Sequence, residues 1–140
     1  MIYYKKLKPI QAITFDLDDT LYENTSVIVN AEHSLYEFMH NQFPATKHVS
    51  KDFWRVQQKT HILANPLLKN DMGELRRLSL ESGFMVIGLS GKELITATTM
   101  CFEHFYFQRS NFTLPNNIHS LLKTLSDSLP LIAITNGNVD

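Results

Sequence analysis

Asp16 and Asp18 stand two residues apart directly after an apolar run, and Thr135-Asn136-Gly137 follows a second apolar run towards the other end of the chain. Two carboxylates so spaced at a strand terminus can do different jobs on one phosphate ester. Asp16, ending the strand, can point along the sheet axis as an in-line nucleophile at phosphorus. Asp18, displaced by the turn, can protonate the leaving oxygen and later take a proton from the water that hydrolyses an aspartyl-phosphate. Two acids facing a phosphate dianion repel strongly in a low-dielectric cleft, so both roles call for a hard cation with oxygen ligands, for which Mg²⁺ is the natural choice. Thr135 could offer a hydroxyl, and the backbone of Asn136 and Gly137 its amides, to the non-bridging oxygens. Gly137, lacking a Cβ, would let the backbone come close.

Such a site needs strands that deliver both segments to one place. Residues 10–15 and 131–134 are short apolar runs cut off by polar loop residues, the pattern of buried parallel strands, and ligands bind at the carboxyl ends of strands in open α/β sheets. Residues 116–125 carry Ile118, Leu121, Leu122 and Leu125 at helical spacing, a packing helix for the second strand, with Pro115 at its entry and Pro130 at the strand start. About a hundred residues separate the two strands, whereas a βαβ crossover requires on the order of a dozen. That stretch reads as an insertion with its own helical fold. Its expected helices cover 26–43, stopped by Pro44; 50–64; 66–82, ended by Gly83; and 90–109, capped by Ser90 with Glu93 at the capping-box offset. The expected division is a core segment over 1–22, a helical cap over 23–110 and a second core segment over 111–140.

The run Phe15-Asp16-Leu17-Asp18-Asp19-Thr20-Leu21-Tyr22 resembles the first motif of the haloacid-dehalogenase-like hydrolase superfamily at every defining position, and the apolar strand ending in Thr135-Asn136-Gly137 resembles its second. The resemblance implies an α/β fold: a partial Rossmann-like core of parallel strands with an inserted all-helical cap. It implies Asp16 as nucleophile, Asp18 as acid/base, and Leu17, Thr135, Asn136 and Gly137 at the phosphate, with Mg²⁺ held by the Asp16 carboxylate and the Asp18 backbone carbonyl. Within the superfamily the chain looks most like bacterial flavin mononucleotide (FMN) phosphatases that also dephosphorylate 5-amino-6-(5-phospho-D-ribitylamino)uracil on the riboflavin pathway. Leu7-Lys8-Pro9-Ile10, residues 14–22 and residues 130–138 carry that narrower likeness.

The family also uses a lysine after a third strand and an acidic pair after a fourth. The sequence stops at Asp140, and Lys92 and Lys123 lie on the wrong elements to substitute. Either the chain is a truncated product or a partner supplies the rest; truncation is the reading preferred, with negligible turnover expected from these residues alone. A dehalogenase would use the same nucleophile on carbon, but it has no leaving alkoxide to protonate, and family dehalogenases lack an acid where Asp18 stands. A receiver domain phosphorylated by a histidine kinase would not carry so large a helical insertion.

The remaining composition narrows the classes. Thirteen Lys and Arg against 14 Asp and Glu leave no concentrated basic surface for nucleic acid, the run Lys5, Lys6, Lys8 being short. The single cysteine, Cys101, cannot form an internal disulfide, and no stretch reads as a signal peptide or a helical membrane span. A cytoplasmic enzyme acting on a small phosphate ester, with no nucleic-acid or membrane partner, is the expectation. Cys101 and His104 share a helical face without a second ligand pair, so they read as core, as do Trp54 and the aromatics Phe102, Phe105, Tyr106, Phe107 and Phe112. Tyr22 either lines the entrance to the site or packs beneath it.

Overall fold

The computed structural model describes residues 9–135; Leu7, Lys8, Asn136, Gly137 and the other residues outside that range lie beyond the described part. The chain divides into two compact units. Of the described residues, those up to Asn24 and from Thr113 onward form one, and Thr25–Phe112 form the other.

The first unit is built on two short parallel strands, β1 (Ile13–Phe15) and β2 (Leu131–Ala133), with Ile13 opposite Leu131, Thr14 opposite Ile132 and Phe15 opposite Ala133. The pairing is closed at both ends: Ile13 N–H donates to the Pro130 carbonyl (3.0 Å) and Ile134 N–H to the Phe15 carbonyl (2.8 Å). Helix α5 (Asn116–Ser126) runs into β2 and half-buries Ile118, Leu122 and Leu125, an i, i+4, i+7 stripe. Leu121, placed by the sequence on that same packing face, is 49% exposed. The strands are also barer than an unbroken apolar run suggests. Ile10 lies outside β1 and is exposed, and Ile132 and Ile134 are exposed too. Burial of a parallel strand requires cover on both faces, and among the described residues of this unit α5 is the one helix available to give it.

The second unit is helical: α1 (Asn24–Gln42), α2 (Lys51–Ala64), α3 (Met72–Val86) and α4 (Gly91–Ser110), with 3-10 turns at Pro44–His48 and Pro66–Asn70. The punctuation is legible in the side chains. Pro44 stops α1, the Ser50 hydroxyl accepts the Phe53 N–H at the start of α2, and Asp71 Oδ1 accepts the Glu74 N–H (2.9 Å) at the start of α3. The core follows helical repeats: Ala31, Leu35 and Met39 from α1, Trp54 from α2, Leu80 and Phe84 from α3, and Ala97, Cys101 and Phe105 from α4. Phe84 is fully buried and takes the Trp54 and Phe43 rings edge-on, at 5.4 and 5.3 Å between centroids. His104 stacks on Phe38 at 4.2 Å and pairs with Ser34 at 2.9 Å, so its role here is packing between α1 and α4.

Three local expectations change. The helix foreseen over 66–82 is a 3-10 turn followed by α3, because Asp71 caps a new helix one turn on. Gly83 lies inside α3 instead of ending it; it is glycine because a Cβ there would stand 2.3 Å from Trp54 Cζ3. Ser90 occupies the N-cap of α4 without a side-chain cap bond, and Gly91 begins that helix in the left-handed region at φ 55°, a path outside the regular capping box. Of the aromatic group, Phe105 is buried, Phe102 and Tyr106 are half-buried, and Phe107 faces solvent. No described helix is long and apolar enough to cross a membrane.

Candidate active site

The register of the sheet decides what can meet. Because Phe15 pairs with Ala133 and its carbonyl takes the Ile134 N–H, the chain leaves β1 at Asp16 beside the point where it leaves β2 at Ile134 and Thr135. Both polar segments thus emerge at the carboxyl ends of adjacent parallel strands. Asp16 is exposed, as is Thr135; Asn136 and Gly137 lie outside the described residues.

After Asp16 the backbone folds back tightly. The Leu17 carbonyl accepts N–H groups from both Thr20 (3.3 Å) and Leu21 (3.0 Å). Asp19 sits at φ 56°, in the left-handed region that aspartate tolerates better than most residues because its short side chain can bond locally. That local bond exists: Asp19 Oδ1 accepts the N–H of Asn24, the first residue of α1, at 2.8 Å, satisfying one of the donors a helix start leaves open. The turn therefore leads directly into the following helix. Leu17 and Asp18 are half-buried.

Tyr22 is the residue that sequence reasoning left undecided. It is buried, and its hydroxyl donates to Asp18 Oδ1 across four residues, while the backbones of the two also form a bridge. The signal was the four-residue spacing in Asp18-Asp19-Thr20-Leu21-Tyr22, which a tight turn converts into proximity. A hydrogen bond of this kind contributes about 1–2 kcal/mol and fixes the carboxyl group's orientation.

As to metal, the donors present are a carboxylate on Asp16 and the backbone carbonyl of Asp18, hard oxygens of the type Mg²⁺ takes, and Mg²⁺ commonly binds through one or two carboxylates while keeping several waters. Among the described residues no group of three or more His, Cys, Asp or Glu side chains is gathered to hold a cation. The donor types thus fit the ion in chemistry.

Compared with known proteins, no family model matches the chain. It is 37% identical over 139 residues, 99% of its length, to 5-amino-6-(5-phospho-D-ribitylamino)uracil phosphatase YigB of Escherichia coli (strain K12), of which it covers 58%. Among solved structures it superposes on a 2-haloacid dehalogenase from Pseudomonas syringae pv. tomato DC3000 with a TM-score of 0.83 and 29% identity, over 94% of this chain and 57% of that one. The chain therefore spans less than two thirds of the length of either protein. The resemblance to haloacid-dehalogenase-like hydrolases read from the two motifs is borne out along nearly the whole chain, and with it the fold class of parallel core strands bearing a helical insertion.

Proposed function

We propose that this chain carries the nucleophile half of a Mg²⁺-dependent phosphomonoesterase acting on a small phosphorylated metabolite. The observation that supports it most is the adjacency of the two strand ends: the turn bearing Asp16 and Asp18 and the segment bearing Thr135 leave neighbouring strands on the same side of the sheet. The likeness to a protein named as a phosphatase supports the same reaction class.

In this reading the Asp16 carboxylate attacks phosphorus in line with the leaving oxygen. Asp18, oriented by Tyr22, gives that oxygen its proton and then takes one from the water that cleaves the aspartyl-phosphate. Thr135 donates its hydroxyl to a non-bridging oxygen, and the backbone amides of Leu17, Asn136 and Gly137 share the rest. Asp16 and the Asp18 carbonyl would hold Mg²⁺, whose positive charge offsets repulsion between carboxylate and phosphate. The substrate class is FMN or a riboflavin-pathway ribityl phosphate, the latter in keeping with a relative named for 5-amino-6-(5-phospho-D-ribitylamino)uracil, and the compartment is the cytoplasm, in keeping with a single cysteine.

The test uses this chain extended to the full length of its relatives and assayed on p-nitrophenyl phosphate with Mg²⁺. Turnover lost in Asp16→Asn and in EDTA is the expected result; turnover unchanged in Asp16→Asn removes that residue from the nucleophile role. Ranking FMN and the ribitylaminouracil phosphate against sugar phosphates tests the substrate class. Chloride release from 2-chloropropionate, favoured over phosphate release, would place the protein with the dehalogenase it superposes on. Asp18 argues against that outcome, since displacement at carbon leaves halide and needs no proton donor.

A further inference from the structure

Within the helical unit, α1, α2 and α3 enclose a cavity of about 470 Å³, within the range that takes small organic ligands. Its apolar wall includes Leu35, Met39 and Leu80, and its aromatic wall Tyr36 and Trp54. The charged side chains lining it are Lys51, Arg55 and Arg76 against Glu32; three cations and one carboxylate leave an excess of two positive charges, His33 taken as neutral.

Two groups in this wall are incompletely used by the protein. Trp54 is 6% exposed, and its Nε1 is buried with no hydrogen-bond partner. The six-membered edge of the indole lies against Gly83 on α3. Arg76 lies with its guanidinium 3.5 Å from the centroid of the Phe105 ring and makes one hydrogen bond, a long one of 3.3 Å to Glu32 Oε1. A guanidinium has five donors in a planar fork suited to carboxylate or phosphate, and the others meet no protein acceptor among the described residues. Burial pulls the Arg76 pKa down while Glu32 pulls it back up, which is the situation of a charge short of counter-charge. At the mouth, Lys51 Nζ sits 5.0 Å from the Tyr36 ring centroid, and Arg55 pairs with an exposed Asp52. Burial also raises the Tyr36 phenol above its ordinary value, so it stays a neutral donor through the physiological range.

We propose that this cavity binds a small organic anion, a carboxylate or phosphoryl group on a flat or aliphatic body, with Arg76, Lys51 and Arg55 at the anionic end and Trp54 and Leu80 against the body. The site uses residues of the helical unit alone and does not rest on the phosphatase reading. An amphipathic anion is the occupant because the wall is half apolar and its charge excess is positive. A bare inorganic ion would leave the apolar wall unmatched, and a neutral molecule would leave the guanidinium unmatched.

Trp54 is the chain's one tryptophan, so its fluorescence reports this cavity directly. The 140-residue chain is titrated with benzoate, phenylphosphonate, inorganic phosphate and benzyl alcohol. Saturable change with benzoate or phenylphosphonate is expected, the tighter of the two naming the head group, with phosphate and benzyl alcohol weaker by at least about tenfold, the worth of one charge-assisted contact. Lys51→Gln with Arg55→Gln, both on the exposed side of α2, should weaken binding by about tenfold without changing far-UV circular dichroism, and Asp16→Asn should leave it unaltered. The proposal is overturned by absence of a saturable signal with either anion, by equal response to benzyl alcohol, by unchanged affinity in the folded double variant, or by loss of binding in Asp16→Asn. The last two changes separate this site from the proposed phosphoryl site, which responds to Asp16.

Discussion

The Tyr22 hydroxyl donates a hydrogen bond to the Asp18 carboxyl group four residues before it, so the acid proposed for proton transfer is held from within its own loop. Tyr22 is buried and Asp18 half-buried, which places the bond where water competes poorly for either partner. Tyr22→Phe keeps the ring and removes the donor. Its expected effect is a loss of about 1–2 kcal/mol in urea unfolding. In the extended chain a lower kcat with little change in KM would follow if the bond orients Asp18. A stability equal to the parent's would show that Asp18 finds other donors of equal worth.

Asp19 combines a left-handed backbone with a bond to the first N–H of α1, and substitutions can separate the two contributions. Asp19→Gly keeps the conformation and drops the bond, Asp19→Asn keeps both, and Asp19→Ala loses both. The expected order of stability is Asn above Gly above Ala. The Ala variant should be lower than the parent by about 2 kcal/mol, the sum of a lost cap and the left-handed cost. Differential scanning calorimetry of the three variants reads the order; Ala equal to Gly would remove the conformational argument.

Gly83 meets the Trp54 ring with no room for a methyl group, a Cβ standing 2.3 Å from Cζ3 and 2.7 Å from Cε3. Gly83→Ala should destabilise by about 1–3 kcal/mol through overpacking, more than offsetting the helix propensity that alanine gains. Introducing Trp54→Leu in the Gly83→Ala background should recover part of that loss, and purely additive losses in the double variant would show that the two sites do not couple.

Cys101 is fully buried, and burial pushes its thiol up from 9.0 to about 12. In the unfolded chain the thiol ionises near 9.0, while in the folded chain it keeps its proton until about 12. The folded state therefore binds more protons across that window, and stability falls as pH rises through it, having been complete below 9.0. Other groups titrate there as well, so the measurement is a difference: Cys101→Ala should show a shallower decline between pH 9 and 12 than the parent. At pH 8 a thiol reagent should label Cys101 only at the rate of global opening; fast labelling of the native chain would contradict its burial.

The family resemblance and the elements were legible in the sequence by itself, for physical reasons that act locally. Apolar runs ending in Asp16 and in Thr135 marked two strand ends, and Pro44, Ser50 and Pro115 punctuated the helices, because caps and prolines act within a turn of where they stand. Register was not legible. That Phe15 pairs with Ala133, bringing Asp16 beside the segment of Thr135, depends on hydrogen bonds between strands about a hundred residues apart, and a slip of one residue would turn every side chain over. Nor was Gly83 legible as an interior helix residue, since only the Trp54 ring arriving from α2 turns a helix breaker into the one residue that fits. The tie between Tyr22 and Asp18, and the collection of Lys51, Arg55 and Arg76 around one cavity, come from the same cause. Spacing along a chain fixes which face a side chain takes, but only the packing of elements against each other decides what that face meets.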